Sequence, residues 1–366
     1  MWAMIVKEFR ELRRDPRTLG MLVFLPVVFL VVFGFAANFT ITTLSTAVVG
    51  PQAPIVAARI TAGSGEARRL DVVVTEPSGD AEDARALLRD DRVTVAVVTG
   101  GAKPMVYIDG SNLFAAQSAA VVVARLGAAV DSEILFNPEL KTSWVMVPGI
   151  IGLILTFIGM IVTSIGLVKE RQNGTLEQLA VMPFRPWEVI AGKIVPYFLL
   201  ASADMLAVTL LAMVIFGVPF VGDPLLFALG AGLFLFVTLG LGVLVSTVSE
   251  TVGQAIQTAM FILLPQILLS GFIFPLAAVP VGVRWIGYLL PLTYFARISR
   301  GIMLRDAGLS ALWLPFAVLA VMAVVTFGAA VIRFRRTITP ARARGDDDGD
   351  GEVPASTVVD VGEARA

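Results

Sequence analysis

The chain contains no cysteine and no histidine. These absences exclude disulfides, thiol nucleophiles, imidazole bases and the usual zinc ligands, so any catalysis would rest on carboxylates, serine, lysine or arginine. Charged residues are also few, at 16% against roughly 25% in soluble proteins. The formal net charge of -1 provides no basic surface for nucleic acid. We therefore expect no catalytic residues, no metal site and no nucleic-acid partner.

Apolar residues are abundant instead, at 57% of the 366 residues. They are concentrated in six segments of about the 20 residues that a helix needs to cross a bilayer. The pattern predicts an all-α polytopic membrane protein with six transmembrane helices. Their predicted ranges are 19–37, 145–168, 194–216, 225–248, 253–275 and 312–332.

Residues 1–18 alternate apolar and basic side chains at helical spacing, which predicts an amphipathic helix at the membrane interface. A cleaved signal peptide is the competing interpretation of this region. The apolar run that follows is longer than the usual signal core of roughly 7 to 15 residues, and further spans come after it. We therefore expect 19–37 to be a retained first span.

Residues 38–144 are more polar and predict a small α/β domain between the first and second spans. We expect strands at 70–75 and 93–99 and helices at 80–89 and 112–136. Residues 337–366 are charged and rich in glycine, which predicts a disordered cytoplasmic tail.

Lysine and arginine flank the spans unevenly, and this bias predicts orientation. Basic residues cluster before the first span, between the second and third, and after the last. With six spans, both termini should therefore lie in the cytoplasm and 38–144 outside. We expect the protein in the inner, or plasma, membrane. Four arginines conflict with this topology because they would lie on the outer side: Arg284, Arg297, Arg300 and Arg305.

The cytoplasmic segment 169–193 is too polar to insert into the membrane and too short to form a domain. Thr175 and Gln178 form a capping-box pattern, so a short helix should begin at Leu176 and stop before Pro183. Pro186 suits the first turn of a second helix that continues into the third span. The segment is either an ordinary connection between helices or a docking element for a partner.

This segment resembles the coupling region of the type-2 ABC transporter permease family. The matching residues are Glu170, Gly174, Thr175, Glu177, Leu179, Pro183, Glu188, Gly192, Lys193, Pro196 and Tyr197. FNPELK before the second span, LSGFIFPLAAVP at 269–280 and PLTYFARISRGIMLR at 291–305 are also similar to the family. The resemblance covers essentially the full chain and is strongest to the bacterial exporters that have a large extracytoplasmic domain after the first span.

The resemblance implies an exporter whose coupling residues, Glu170, Gly174, Thr175, Glu177 and Leu179, dock into an ABC ATPase subunit. No G-x-x-x-x-G-K-[ST] phosphate loop occurs in this chain, so ATP and Mg would be bound by that partner and no cofactor by this chain. A second permease subunit, identical or different, would complete the transporter. The cargo would be lipophilic or amphiphilic, for example a drug.

The resemblance also implies short re-entrant helices at the outer face over 276–304. We expect the outer gate there, with the candidate residues Pro275, Pro291, Tyr294 and Arg300.

Asp204 is an isolated charge within the third span. A charged side chain at mid-membrane costs about 2.5 kcal/mol or more, so it should face the bundle interior or a water-filled cavity. Asp204 is therefore either functional or held by neighbouring hydroxyl groups such as that of Ser202. Two other functions stay open: a secondary transporter driven by an ion gradient, which would show inverted repeats and several intramembrane charges, and a membrane-anchored ligand sensor.

Overall fold

The computed structural model describes residues 43–63, 70–173, 186–276, 279 and 281–338, together with residues 2, 4–7, 10, 20, 27 and 30. The predicted interfacial helix 1–18 and first span 19–37 fall largely outside these residues. The tail after 338 and the predicted short helix at 176–182 also lie outside them.

The predicted small α/β domain is present. Its strands are β1 (Leu44–Val49), β2 (Leu70–Glu76), β3 (Val95–Val98), β4 (Met105–Asp109) and β5 (Asp131–Leu135). They form a five-stranded sheet in the order β2-β1-β3-β4-β5, in which only the β3–β4 pair is antiparallel. The helices are α1 (Ala53–Ala62), α2 (Ala81–Arg89) and α3 (Leu113–Leu126).

Apolar side chains on the two faces of the sheet form separate cores, because successive residues of a strand point to opposite sides. Leu44 and Val48 of β1 pack with α1 and α3 on one face. Ala47 and Val49 pack with α2 on the other. The domain therefore has three layers. Asp80 caps α2 by accepting hydrogen bonds from the N–H groups of Glu82 and Asp83, which fixes the start of that helix.

The predicted helix over 112–136 was wrong in its second half. Helix α3 ends at Leu126, and Gly127 follows with a φ of 58°, a conformation that favours glycine. The chain then forms β5, an edge strand paired with β4. Strands β1 and β4 were not predicted.

Among the described residues, five helices are long and apolar enough to cross a membrane, with candidate spans at Thr142–Gln172, Ile194–Phe216, Pro224–Val248, Val252–Leu269 and Leu309–Arg333. The helices that contain them are α4 (Thr142–Gln172), α5 (Pro186–Phe216), α6 (Pro224–Val248), α7 (Val252–Leu269) and α10 (Leu309–Ile338). Each overlaps one of the predicted apolar segments. The first predicted segment, 19–37, is the one outside the described residues.

Helix α7 stops short of the predicted end at 275, because the backbone leaves the helix at Ser270 and Gly271 has a φ of 82°. Two further helices follow: α8 (Val281–Gly287) and α9 (Pro291–Arg305). The segment 276–304, for which short helices were predicted, thus contains two separate helices, the second of which ends at Arg305.

Helices α4 and α6 cross at a very short distance. A Cβ atom on Gly242 of α6 would lie 2.8 Å from the carbonyl oxygen of Met160 and 2.9 Å from Cβ of Thr163. Small residues allow membrane helices to approach in this way, and packing takes the place of the hydrophobic effect there. The crossing makes α4 and α6 the centre of the bundle.

The two ends of the bundle carry different segments. At one end, the sheet domain leads into α4, Arg300 of α9 reaches Val145, and the N–H of Val221 donates to the carbonyl of Met303. At the other end, Arg171 donates to the carbonyl of Ser246, and Gln172 donates to that of Glu250 at 3.3 Å. The sheet domain and the α8–α9 segment therefore share one end, and the start of the predicted coupling segment lies at the opposite one.

Candidate functional site at the junction of the sheet domain and the bundle

Helix α9 lies between the sheet domain and the bundle. It contacts α4, α6, α7 and α10, and thirteen of its fifteen residues are buried. Pro291 is its first residue, where the missing N–H costs nothing. Its last residue is Arg305, followed by Asp306 in the left-handed conformation with a φ of 52°.

Arg305 joins α9 to the sheet domain. Its Nη1 lies 2.7 Å from Oδ1 of Asp91, in the turn after α2, and 3.6 Å from Oδ2 of Asp109, at the end of β4. Asp109 is fully buried, and its Oδ1 accepts a hydrogen bond from the N–H of Ser111 at 2.8 Å. The Arg305 side chain is only 5% exposed. This ion-pair network is therefore largely removed from water, where charge interactions are strong.

The charges in this network depend on one another. Burial raises the pKa of the Asp109 carboxyl above its ordinary value, although the guanidinium of Arg305 acts in the opposite direction. Burial alone would lower the pKa of Arg305, but the carboxylates of Asp91 and Asp109 outweigh it and raise that pKa. Arg305 therefore stays charged and holds a buried carboxyl that would be costly to ionise alone.

Arg300, one of the predicted gate residues, joins three segments of the bundle. Its Nε donates to the carbonyl of Val145 at 3.0 Å, and its two terminal nitrogens donate to Gly271 at 3.5 Å and Phe272 at 2.5 Å. Burial lowers the pKa of Arg300 to about 10, and Arg305 adds to that effect. At neutral pH the guanidinium is still protonated and ties α9 to the start of α4 and the turn after α7.

A cavity of about 230 Å³ lies beside these contacts. Its walls come from the turn after β4, the start of α3, the start of α4, residues 270–276 and α9. Arg297, Arg300 and Arg305 line it together with Asp91. The hydroxyl of Ser270 and Nε of Arg305 are also in buried positions, and neither has a hydrogen-bond partner among the described residues.

The four gate candidates are not all brought together. Pro275 and Arg300 line the cavity. Tyr294 instead donates its hydroxyl hydrogen to the carbonyl of Tyr288 at 2.7 Å, which connects α9 to the end of α8. Pro291 starts α9 on that same side. The structure therefore places Pro275 and Arg300 at the cavity, whereas Tyr294 connects α9 to the end of α8.

Sequence reasoning missed Asn137 as a residue that positions the junction. Its side chain donates to the carbonyls of Gly110 at 3.4 Å and Lys141 at 3.1 Å, and it accepts from the N–H of Lys141 at 2.9 Å. A Cβ on Gly110 would lie 2.7 Å from the carbonyl oxygen of Leu135, so this close approach requires glycine. The FNPELK motif was the signal, because Asn137 is its second residue.

Asp204 lies on α5 and is partly buried. Its Oδ2 is shielded from solvent and has no hydrogen-bond partner among the residues that the structure describes. The hydroxyl of Thr209, on the same helix, is in the same situation. The alternative in which neighbouring hydroxyls satisfy the carboxylate is not supported for this oxygen.

We expect Asp204→Asn to lower transport severalfold, because the amide keeps the shape of the side chain and removes its charge. Transport into inverted vesicles measures the effect. Ser202→Ala is the matched control on the same helix. Equal rates for Asp204→Asn and the unmodified protein would assign Asp204 to packing.

Of the predicted coupling residues, Glu170 is described and lies in the last turn of α4. The next two residues, Arg171 and Gln172, bond to the end of α6. Gly174, Thr175, Glu177 and Leu179 lie outside the described residues. Helix α5 includes Pro186 and Glu188 in its first turn and continues into a candidate span.

These elements define an integral membrane protein in which a helical bundle carries a sheet domain and two short helices at one end. Residues 16–332 match the family described as ABC-2 family transporter protein. The chain therefore belongs to the ABC-2 transporter family and is the permease subunit of an ABC exporter. The resemblance seen in the motifs is confirmed.

Curated relatives agree with this assignment. The chain is 28% identical over 363 residues to the "Probable multidrug ABC transporter permease YbhR" of Escherichia coli K12, which covers 92% of this chain and 99% of the relative. It is 28% identical over 335 residues to YbhS of the same organism, another "Probable multidrug ABC transporter permease". That alignment covers 82% of this chain and 88% of the relative. It is 32% identical over 212 residues to the E. coli "Inner membrane transport permease YhhJ", and this alignment covers 57% of this chain and 56% of the relative.

Proposed function

We propose that this permease exports lipophilic or amphiphilic compounds, drugs among them, and is driven by ATP hydrolysis on a separate ABC ATPase. The nearly full-length similarity to two permeases described as multidrug transporters carries the proposal. The absence of a phosphate-loop motif from the sequence supports a partner that binds ATP and Mg.

Segment 169–193 is the proposed contact with the ATPase, through Glu170, Gly174, Thr175, Glu177 and Leu179. Its beginning supports this role because the end of α4 is anchored to the end of α6 by the bonds of Arg171 and Gln172. A force applied to the segment would therefore act on both helices at the centre of the bundle.

Helix α4 can transmit such a force across the membrane. It is one continuous helix of 31 residues, which corresponds to about 46 Å at 1.5 Å per residue. Near its other end, the carbonyl of Val145 accepts from Arg300, and that of Pro148 accepts from the hydroxyl of Ser299 at 3.2 Å. Closure of the ATPase would thus tilt α4 and displace α9, where the outer gate is proposed.

A second permease subunit is proposed to complete the cargo path. Helices α5 and α10 support this arrangement because they present large apolar side chains outward, among them Val214 at 82% and Val324 at 74% exposure. The second permease would cover part of these surfaces, and lipid would cover the rest.

The proposed topology places both termini in the cytoplasm, the sheet domain outside, and the protein in the inner membrane with six spans. The sharing of one bundle end by the sheet domain and α9 supports this arrangement.

Thiol labelling tests the topology, because the chain has no native cysteine. We expect Ile55→Cys, at an exposed position of α1, to react with an impermeant maleimide added from outside. Asn173→Cys, at the exposed end of α4, should react only after the membrane is opened. The reverse pattern would overturn the proposed orientation.

Reconstitution tests the function itself. We expect the tagged chain to co-purify with an ABC ATPase whose ATP hydrolysis rises severalfold in its presence, and the pair to move a fluorescent amphiphilic drug across liposomes. An ATPase variant that lacks its phosphate-loop lysine is the control, and it should abolish transport. Drug movement by the permease alone, driven by an ion gradient, would contradict the proposal and favour a secondary transporter.

A further inference from the structure

The cavity between the sheet domain and α9 has unbalanced charge. Arg297, Arg300 and Arg305 line it, but the carboxylates of Asp91 and Asp109 are both held by Arg305. No carboxylate of the described residues lies within ion-pair distance of Arg297 or Arg300. Two guanidinium groups at its walls are therefore without an anionic partner in this part of the chain.

Several polar groups that line the cavity have hydrogen-bonding capacity that no described residue satisfies. Arg300 donates three hydrogen bonds to carbonyls, whereas a guanidinium carries five N–H groups. The hydroxyl of Ser270 has no partner among the described residues although the side chain is only 2% exposed, and Nε of Arg305 is also unpartnered at 5% exposure. Buried polar groups are normally satisfied, so these atoms are available to a ligand.

Ser111, Asn112 and Thr293 add polar groups to the wall, and another part of it is apolar. Leu113 and Phe114 of α3, Met146 of α4, and Phe272 and Ile273 of the turn after α7 face the same cavity. Its volume of about 230 Å³ is below the roughly 300 to 1,000 Å³ of sites for drug-sized ligands. The occupant must therefore be small, with one polar and one apolar part.

We propose that this cavity binds a small anionic amphiphile, with its phosphate or carboxylate group held by Arg297 and Arg300 and its short apolar body against Phe114 and Phe272. Guanidinium groups pair with phosphate and carboxylate through charge-assisted hydrogen bonds. Ser270 contributes a further hydrogen bond to the same group. The site does not depend on which compound the transporter exports.

Hexyl phosphate is a suitable probe because it combines both parts. Calorimetric titration of the purified full-length protein in nanodiscs of zwitterionic lipid should show saturable binding, and inorganic phosphate and hexanol should each bind at least tenfold more weakly. A fall in affinity with rising salt is expected, because the contact is partly exposed.

Variants distinguish binding at this cavity from nonspecific attraction of anions to the protein surface. Arg297 is exposed, so Arg297→Gln should leave the fold intact, and we expect its affinity for hexyl phosphate to fall about tenfold. Ser270→Ala should lower the affinity about threefold. Arg59→Gln, an equivalent change at an exposed position of α1 away from the cavity, is the matched control and should not alter binding.

The lipid composition of the nanodisc distinguishes two possible sources of the anion, a lipid headgroup and a soluble amphiphile. If an outer-leaflet lipid headgroup is the occupant, phosphatidylglycerol in the nanodisc should compete with hexyl phosphate; if the ligand is a soluble amphiphile, it should not. Both results require the site. Equal binding of hexanol and hexyl phosphate, or equal affinity of Arg297→Gln and Arg59→Gln, would overturn the proposal.

Discussion

Arg305→Ala is expected to destabilise the protein by about 3 to 5 kcal/mol, because it leaves a buried carboxyl without its cation. Asp109 is fully buried, and its Oδ2 has no hydrogen-bond partner among the described residues. Arg305 is the cation that lies 3.6 Å from that oxygen. Equilibrium unfolding in mixed detergent micelles measures the change in the free energy of unfolding.

Two controls identify the cause of this loss. Arg89→Ala removes a cation of the sheet domain that lies 3.6 Å from Glu82, but both side chains are exposed, so about 1 kcal/mol or less should be lost. The double variant Arg305→Met with Asp109→Asn removes both charges and should recover most of the stability. A loss for Arg305→Ala no larger than that for Arg89→Ala would contradict a structural role for the ion pair.

Glu177→Arg is expected to abolish coupled transport and to leave membrane insertion intact. The residue matches the family's coupling motif in a segment proposed to enter a cleft of the ATPase. Reversing a charge in a desolvated interface costs about 2 to 5 kcal/mol, which corresponds to a roughly 30-fold or larger loss of complex. Drug transport by the reconstituted pair, and co-purification of the ATPase, measure the effect.

Glu82→Arg is the matched control for this charge reversal, because Glu82 is an exposed glutamate of the sheet domain. It should leave transport and co-purification unchanged. Normal transport by Glu177→Arg would refute the docking role of segment 169–193, while the assignment to the family would stand.

The five candidate spans in the described residues were predictable because length and hydropathy alone determine whether a helix can cross a bilayer. Strand β1 was not, since a central parallel strand is buried on both faces and lacks the alternating pattern of a half-buried strand. Its sequence LSTAVV also lies in the uncharged run after the first apolar segment. Strand β5 was missed for the opposite reason. The edge strand DSEIL is largely exposed and begins with polar residues, so it has few apolar side chains to indicate a strand.

The candidate site was predictable only in part. Arg300 was identified from the family motif, but its hydrogen bond to Val145 joins residues 155 positions apart, and no local pattern encodes such a contact. The arginines of the α8–α9 segment conflicted with the charge bias of the loops. The structure provides partners for three of them: Arg284 donates to the carbonyl of Val279 at 2.9 Å, Arg300 donates to three carbonyls, and Arg305 pairs with two carboxylates.

The sheet domain is attached to the bundle by the covalent exit into α4, held by Asn137, and by the ion pair of Arg305 with Asp91 and Asp109. Leu113 of α3 adds an apolar contact, because it belongs to the same buried cluster as Val145 and Phe295 of the bundle. The cavity has walls on both sides of this joint, so any movement of the domain relative to α9 would change the width of the cavity.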